Sequence, residues 1–285
     1  MSYNLFNMAI LGIDVGSSSL KVVLREKEKI LKKEVFDLPK EKKEIFKLVE
    51  KIYKNFSQKM NLEKVGIGVA GILDKKREKL VRAPNLSLLE GTNVKKIIEK
   101  KLKRKVFVEN DANCFALGEK FMGKAKDFDY FIFLALGSGI GGAIFFNGEL
   151  ILGKQGGAGE IGHIFLDIGK KLDFEDLASD KFLKRKLKKN SFETKILAEK
   201  GEKRAIEVFK ELGRNLGFGI VNSIHIFDPQ AIILGGGITI ARKFFEKEMK
   251  ETVKKFIISK SYKSKILFSN LERFGGAIGA TFIGD

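Results

Sequence analysis

An internally duplicated α/β protein is the architecture to expect from this chain, and three observations lead there. The chain has 285 residues, more than one ordinary domain holds. Short apolar runs rich in β-branched residues alternate along it with amphipathic helical stretches. The order of elements starts again near residue 130, and each time it opens on strands joined by a glycine turn.

The elements follow in order. Met8–Asp14, Lys21–Arg25 and Ile30–Phe36 read as three successive strands. Over Lys42–Met60, apolar side chains recur at Ile45, Leu48, Val49, Ile52 and Phe56, which makes one helix face. Val65–Ala70 is a buried strand, Lys95–Leu102 a helix, Val106–Glu109 a strand and Ala112–Phe121 a helix. The second set opens with strands Tyr130–Leu136, Gly142–Phe146 and Glu149–Leu152. Helices come next, the longest over Arg204–Phe227. Strand Ala231–Leu234, helix Ala241–Phe256, strand Lys265–Phe268 and a closing helix from Gly275 complete the chain. The repetition lies in element order, since the halves share little sequence.

Composition narrows the function classes. With 44% apolar and 32% charged residues the chain buries a core and keeps a polar surface. The single cysteine, Cys114, excludes an internal disulfide framework, a multi-thiolate zinc site and a cysteine-ligated iron–sulfur cluster. The apolar run Met8–Ile13 ends at Asp14 without a basic flank, and Tyr130–Asn147 is too short and glycine-rich to span a bilayer. A soluble cytoplasmic protein is therefore expected. The net charge of +18, from 54 Lys and Arg against 36 Asp and Glu, raises the question of a nucleic-acid partner. Lysines and glutamates are interleaved over Glu26–Lys33, Lys40–Lys51 and Lys243–Lys255, as on a solvated surface. The densest basic segments, Lys95–Lys105 and Lys181–Lys189, lack interleaved stacking aromatics. A positive field also favours an anionic small molecule.

Three glycine turns carry the chemistry. GSGIGG, at Gly137–Gly142, fits the dinucleotide template G-x-G-x-x-G by letter. That template needs a helix after the turn, and here the β-prone AIFFNGELIL follows. The turn is left as a strand–turn–strand phosphate clamp or a plain hairpin. GIDVGSSSLKVVL, at Gly12–Leu24, is a second such turn, with Asp14 beside the hydroxyls of Ser17, Ser18 and Ser19. Backbone N–H groups and hydroxyls donate to phosphate oxygens, and a carboxylate nearby can hold Mg²⁺ through water. AIILGGGITIARKFF, at Ala231–Phe245, runs from a strand through Gly235, Gly236 and Gly237 into a helix, which suits a flat nucleoside against backbone. Further polar groups lie in VFVENDANCFALGE, where Asn110 and Asp111 stand between strand and helix and Asp111 reads as the helix cap. GAGEIGH, FEDLAS and APNL add Glu160, His163, Glu175 and Asn85, a set that suits a polyhydroxylated ligand.

Three such turns in this order resemble the phosphate-one, phosphate-two and adenosine segments of the actin-like (ribonuclease H-like) superfamily, a duplicated two-domain fold with ATP in the cleft. GIDVGSSS, NDAN, LGSGIGG, GAGEIGH and LGRNLGFGIVNSIHIFDPQAIILGGGI together resemble the ROK family of sugar kinases over nearly the whole chain. The resemblance implies Asp111 as catalytic base. It implies Asn85, Asn110, Glu160, His163 and Glu175 as sugar contacts. ATP would contact Asp14, Gly16, Ser17, Ser18, Gly137, Ser138, Gly139, Gly235, Gly236 and Gly237, with Mg²⁺ at Asp14 through water. Most members follow G-E-x-G-H with a cysteine knuckle that binds structural zinc. Ile164–Phe174 has no cysteine and is too short for it, so no structural zinc is expected and a short connection links His163 to Glu175. The first turn reads GSSS where the family has G-G-T.

The expected activity is ATP-dependent phosphorylation of a hexose hydroxyl, with glucose as the family default. The alternatives are N-acetylglucosamine, N-acetylmannosamine or fructose as acceptor, and a catalytically silent sugar sensor. Regulators of the family carry a helix-turn-helix domain, and the seven residues before the first strand are too few for one. No DNA or membrane partner is expected, and members are often homodimers. The expected domains are 1–111, completed by a helix at about 270–285, and 112–269.

Overall fold

The computed structural model describes residues 8–284, so the outermost residues of the expected domain limits lie outside the described residues. The chain divides into two units. The first comprises Met1–Lys126, Leu150–Ala158 and Leu271–Asp285; the second comprises Asp127–Glu149 and Gly159–Asn270.

In the first unit the chain begins with strands β1 (Met8–Val15), β2 (Ser19–Glu26) and β3 (Lys29–Asp37). Helix α1 (Lys42–Ser57) and strand β4 (Asn61–Val69) follow. A small hairpin, β5 (Ile72–Leu73) with β6 (Leu80–Arg82), precedes α2 (Val94–Leu102), β7 (Phe107–Asn110) and α3 (Asp111–Met122). The sheet runs β3-β2-β1-β4-β7, antiparallel through the first three strands and parallel from β1 to β7. Strands β1 and β4 are buried nearly throughout, as the inner members of a covered sheet must be. The α1 stripe Ile45, Val49, Ile52 and Phe56 packs into that core, at the period read from the sequence.

Packing keeps α3 in the first unit, which therefore extends to Lys126 where the sequence reading ended it at Asp111. The partner of α3 is the closing helix Gly275–Ala280, every residue of which is buried. Gly118 stands opposite the Gly275 carbonyl, where a Cβ would come within 2.7 Å. Small residues at both faces let the two backbones approach this closely.

The second unit repeats the plan. It is built from β8 (Phe131–Leu136), β9 (Ile140–Phe146), the short β10 (Glu149–Leu150), and a two-stranded ribbon of β11 (Phe165–Asp167) with β12 (Leu172–Asp173). Helices α4 (Phe174–Ala178), α5 (Asp180–Leu187), α6 (Ser191–Glu199) and α7 (Lys203–Phe227) follow, then β13 (Ala231–Gly235), α8 (Glu246–Phe256) and β14 (Lys265–Phe268). The sheet order β10-β9-β8-β13-β14 again joins an antiparallel opening pair to parallel strands. The two sheets share this topology, which is the duplicated plan expected. One expected element is split. The helix read as Ala241–Phe256 starts at Glu246, behind a 3-10 segment Gly237–Phe244. Phe245, with φ −126°, interrupts helical geometry between them, and its buried ring packs beside Phe268.

Candidate functional site

Strand register gathers the first unit's candidates at one edge. Val15 pairs with Val69, and Val69 with Asn110, so the carboxyl ends of β1, β4 and β7 lie level. In parallel α/β sheets ligands bind at that end. The Gly16–Ser18 turn leaves β1 there, closed by the Gly16 N–H donating to the Ser19 carbonyl at 3.1 Å. Ser17 and Ser18 are exposed on it.

Asp14 is buried beneath this turn. The antiparallel register sets Lys21 opposite, its Nζ 3.4 Å from Asp14 Oδ2. Asp14 Oδ1 is buried without a hydrogen bond among the described residues. Burial pushes the Asp14 carboxyl up, against the pull of Lys21. Gly276 faces it from the closing helix, where a Cβ would lie 2.9 Å from the carboxyl carbon.

The helix after β7 is capped by Asn110 and not by Asp111. Asn110 Oδ1 accepts the Asn113 N–H at 3.0 Å, while Asp111 is the first residue with helical geometry. Asn110 has the extended backbone a cap requires (φ −62°, ψ 145°). Freed from capping, the Asp111 carboxyl accepts the adjacent Ala112 N–H at 2.9 Å and is further favoured by its own backbone N–H. Desolvation, reinforced by the like charge of Asp14, raises its pKa to about 7. Asn110 Nδ2 donates to the Gly71 carbonyl at 2.9 Å, which ties the strand end to the loop after β4. Behind them the buried Glu109 accepts from the Asn110 N–H, from Asn113 Nδ2 and from Arg77 Nε at 2.7, 2.9 and 2.8 Å. Asn85 stands exposed on the 3-10 segment Pro84–Leu89 of the same unit.

Register does the same in the second unit. Ala135 pairs with Gly235, which sets the Gly137–Gly139 turn and the Gly235–Gly237 run side by side at the ends of β8 and β13. Gly236 adopts φ +93°, and a Cβ there would strike the Leu136 backbone, so glycine is required. The Gly137 N–H donates to the Gly139 carbonyl at 2.9 Å, and Ser138 is exposed at the tip.

Two short helices grip that turn. Helix α4 seats Phe174 in the notch left by Gly219 on α7, and Asn215 Nδ2 bonds the Leu177 carbonyl at 2.9 Å. Glu175 is thereby buried against the turn. Its Oε2 accepts the Ile140 N–H at 2.7 Å, and its Oε1 pairs with Lys181 at 2.5 Å. The Asp180 N–H of α5 donates to the Gly137 carbonyl at 2.9 Å.

Glu160 and His163 flank a single 3-10 turn, Ile161–His163, and both are exposed. His163 Nε2 lies 4.0 Å from Glu160 Oε2, and His163 Nδ1 lies 2.9 Å from Asp173 Oδ2. The bond to Asp173 is the main cause holding the imidazole above its ordinary pKa. Burial and the Glu175 charge raise Glu160 too, against His163. The connection from His163 to Glu175 folds as the β11–β12 ribbon.

Lys21, Asp173 and Lys181 were not among the sequence-derived candidates. A signal existed for two. Asp14 and Lys21 lie symmetrically about the GSSS turn, and Asp173 stands at a helix N-cap position before FED. Lys181 offered none, because its partner is chosen by how α4 and α5 pack.

The comparisons agree with this architecture. A ROK family glucokinase from Streptomyces griseus, crystallised with glucose and AMPPNP, superposes with a TM-score of 0.86 at 26% identity, covering 96% of this chain and 98% of that one. The glucokinase of Thermotoga maritima is 28% identical over 307 residues, 97% of each chain. The xylose repressor of Bacillus subtilis is 32% identical over 292 residues, 95% of this chain and 76% of its own length. The actin-like sugar kinase fold is shared with the glucokinase structure, and the ROK family pattern matches residues 10–284, so this chain belongs to the ROK family.

Proposed function

We propose that this protein is an ATP-dependent sugar kinase that transfers the γ-phosphoryl group to a hexose hydroxyl, with glucose the leading acceptor. One observation carries the reading. Asp111 is a desolvated carboxyl with a pKa near neutrality, level with a phosphate-type glycine turn. A base with that pKa is matched to neutral pH, where it is ionised in useful amount and still holds a proton once taken. A carboxyl desolvated at the end of β7, level with that turn, favours chemistry over a silent sensor. The relatives, which include kinases and repressors, leave the choice to the site itself.

In this mechanism Asn110 and Asn85 orient the acceptor, and Glu160 and His163 bind further hydroxyls. The acceptor hydroxyl is a weak acid, so Asp111 takes its proton as the new O–P bond forms and the bond to the leaving ADP breaks. Glu175 serves the acceptor less directly than the resemblance implies. Both its oxygens are engaged, and its evident work is to hold the Gly137–Gly139 turn in shape. That turn, with Gly16–Ser18, presents backbone N–H and hydroxyl donors to phosphate oxygens, and Gly235–Gly237 leaves room for a nucleoside. The unpartnered Asp14 Oδ1 suits a water-mediated Mg²⁺, which would neutralise phosphate charge when bound. Alignment and charge stabilisation supply most of the acceleration.

The test is ADP release with ATP and Mg²⁺ across glucose, fructose, N-acetylglucosamine and N-acetylmannosamine. Sugar-stimulated release is expected, and Asp111→Asn lowers kcat at least a thousandfold while glucose binding remains measurable by calorimetry. Silence of the unsubstituted enzyme on every sugar overturns the kinase in favour of a sensor. Full turnover by Asp111→Asn overturns the base.

A further inference from the structure

His163 is half-exposed and stands on a three-residue turn, with no helix or sheet of its own to hold its ring. What holds it is Asp173. Asp173 Oδ2 meets His163 Nδ1 at 2.9 Å, and Asp173 Oδ1 accepts the Asp176 N–H at 2.8 Å as the N-cap of α4. One largely covered carboxylate thus clamps the imidazole to the helix that carries Glu175. The clamp also aims the ring, since with Nδ1 occupied Nε2 is the atom left to face Glu160.

We propose that Asp173 is a positioning residue for acceptor binding: it locks His163 so that Nε2 and the Glu160 carboxylate address one polyol edge together. The proposal rests on the kinase reading for the identity of the ligand, a sugar. It assigns to a carboxylate in the β11–β12 ribbon a role that composition and motif did not indicate. The groups facing His163 are Glu160 from its own turn, Asp173 from the ribbon and Glu175 from α4, with Lys181 of α5 paired to Glu175. Three carboxylates around one imidazole favour the imidazolium, in which Nε2–H donates to a sugar oxygen. Once that proton is lost, Nδ1 keeps its hydrogen for Asp173 and Nε2 turns acceptor.

The substitution Asp173→Asn separates this role from folding, because asparagine caps a helix as well as aspartate does. The amide retains the bond from Asp176 and loses the charge that pairs with His163. The chain has two histidines, so His225, whose Nε2 accepts the Ile258 N–H, is an internal reference in an NMR titration. In Asp173→Asn the His163 titration midpoint falls toward the ordinary imidazole value of about 6.5. Glucose binding by calorimetry weakens about tenfold at pH 7, and for the enzyme turning over, the glucose KM rises by a similar factor with kcat changed less than threefold. Asp167→Asn, a carboxylate elsewhere on the ribbon, leaves both readings unchanged. A His163 midpoint that does not move overturns the proposal, and so does unweakened glucose binding beside a moved midpoint. Failure of the kinase reading looks different: no ADP release from the unsubstituted enzyme, with the His163 and glucose-binding readings still able to judge Asp173.

Discussion

Asp14 and Asp111 illustrate how two identical side chains acquire different properties from a few ångströms of surroundings. Asp14 has Lys21 bonded across the strand pair, which offsets part of its burial, whereas Asp111 feels Lys21 through its charge alone and has the like charge of Asp14 against its backbone donors. The sign of the consequence for stability is definite. Asp111 carries a folded-state pKa raised from about 3.9 to about 7, so well below pH 4 it is neutral in both states and neither costs nor contributes. As pH rises from 4 to 7 the unfolded chain ionises first and the folded state loses stability, on the order of a few kcal/mol. Asp111→Asn should therefore raise the melting temperature at pH 8 and do so far less at pH 4. Calorimetry at the two pH values checks this, and an equal shift at both would deny the charge origin. The NDAN motif marked Asp111 in the sequence. Its release from capping was not legible there, because both Asn and Asp cap well and only backbone geometry chooses between them.

At the level of elements, the Gly137–Gly139 turn shows why two glycines in one motif are not equivalent. A Cβ on Gly139 would fall on the Glu175 carboxylate, which cannot swing aside without releasing Ile140 N–H and Lys181. A Cβ on Gly137 meets nothing within 4 Å. Gly139→Ala should lower stability by about 1–3 kcal/mol and, on the proposed kinase reading, raise the KM for ATP, while Gly137→Ala leaves stability within about 0.5 kcal/mol. Thermal unfolding of the two variants side by side measures the difference, and equal losses would contradict it. The glycine spacing and the failed dinucleotide context were readable from the letters, since strand and helix periods differ. What lies beneath the turn was not, because α4 and α5 reach it from some 40 residues away in sequence.

For the molecule as a whole, the chain's end completes its beginning. Arg25 on β2 donates through Nε to Thr281 Oγ1 at 2.7 Å and through a terminal nitrogen to the Thr281 carbonyl at 3.0 Å, and its guanidinium lies 3.9 Å from the Phe282 ring centre. Thr281 is fully buried, and its hydroxyl donates to the Ile278 carbonyl at 2.6 Å. Thr281→Val keeps the shape and leaves a buried charged donor short of one acceptor, which should cost about 1–3 kcal/mol in urea unfolding. A loss below about 0.5 kcal/mol would mean that the remaining contacts hold Arg25 alone. The sequence by itself determined the elements, their duplicated order and the glycine turns, because hydrophobic period and φ requirements are local properties of the chain. It also carried the motifs that mark Asp111, Glu160 and His163. Only the tertiary structure decided that α3 belongs with the closing helix, that Glu175 is spent on the turn, and that Asp173 holds His163. Those outcomes depend on which distant surfaces meet, and burial and charge pairing are fixed by that meeting.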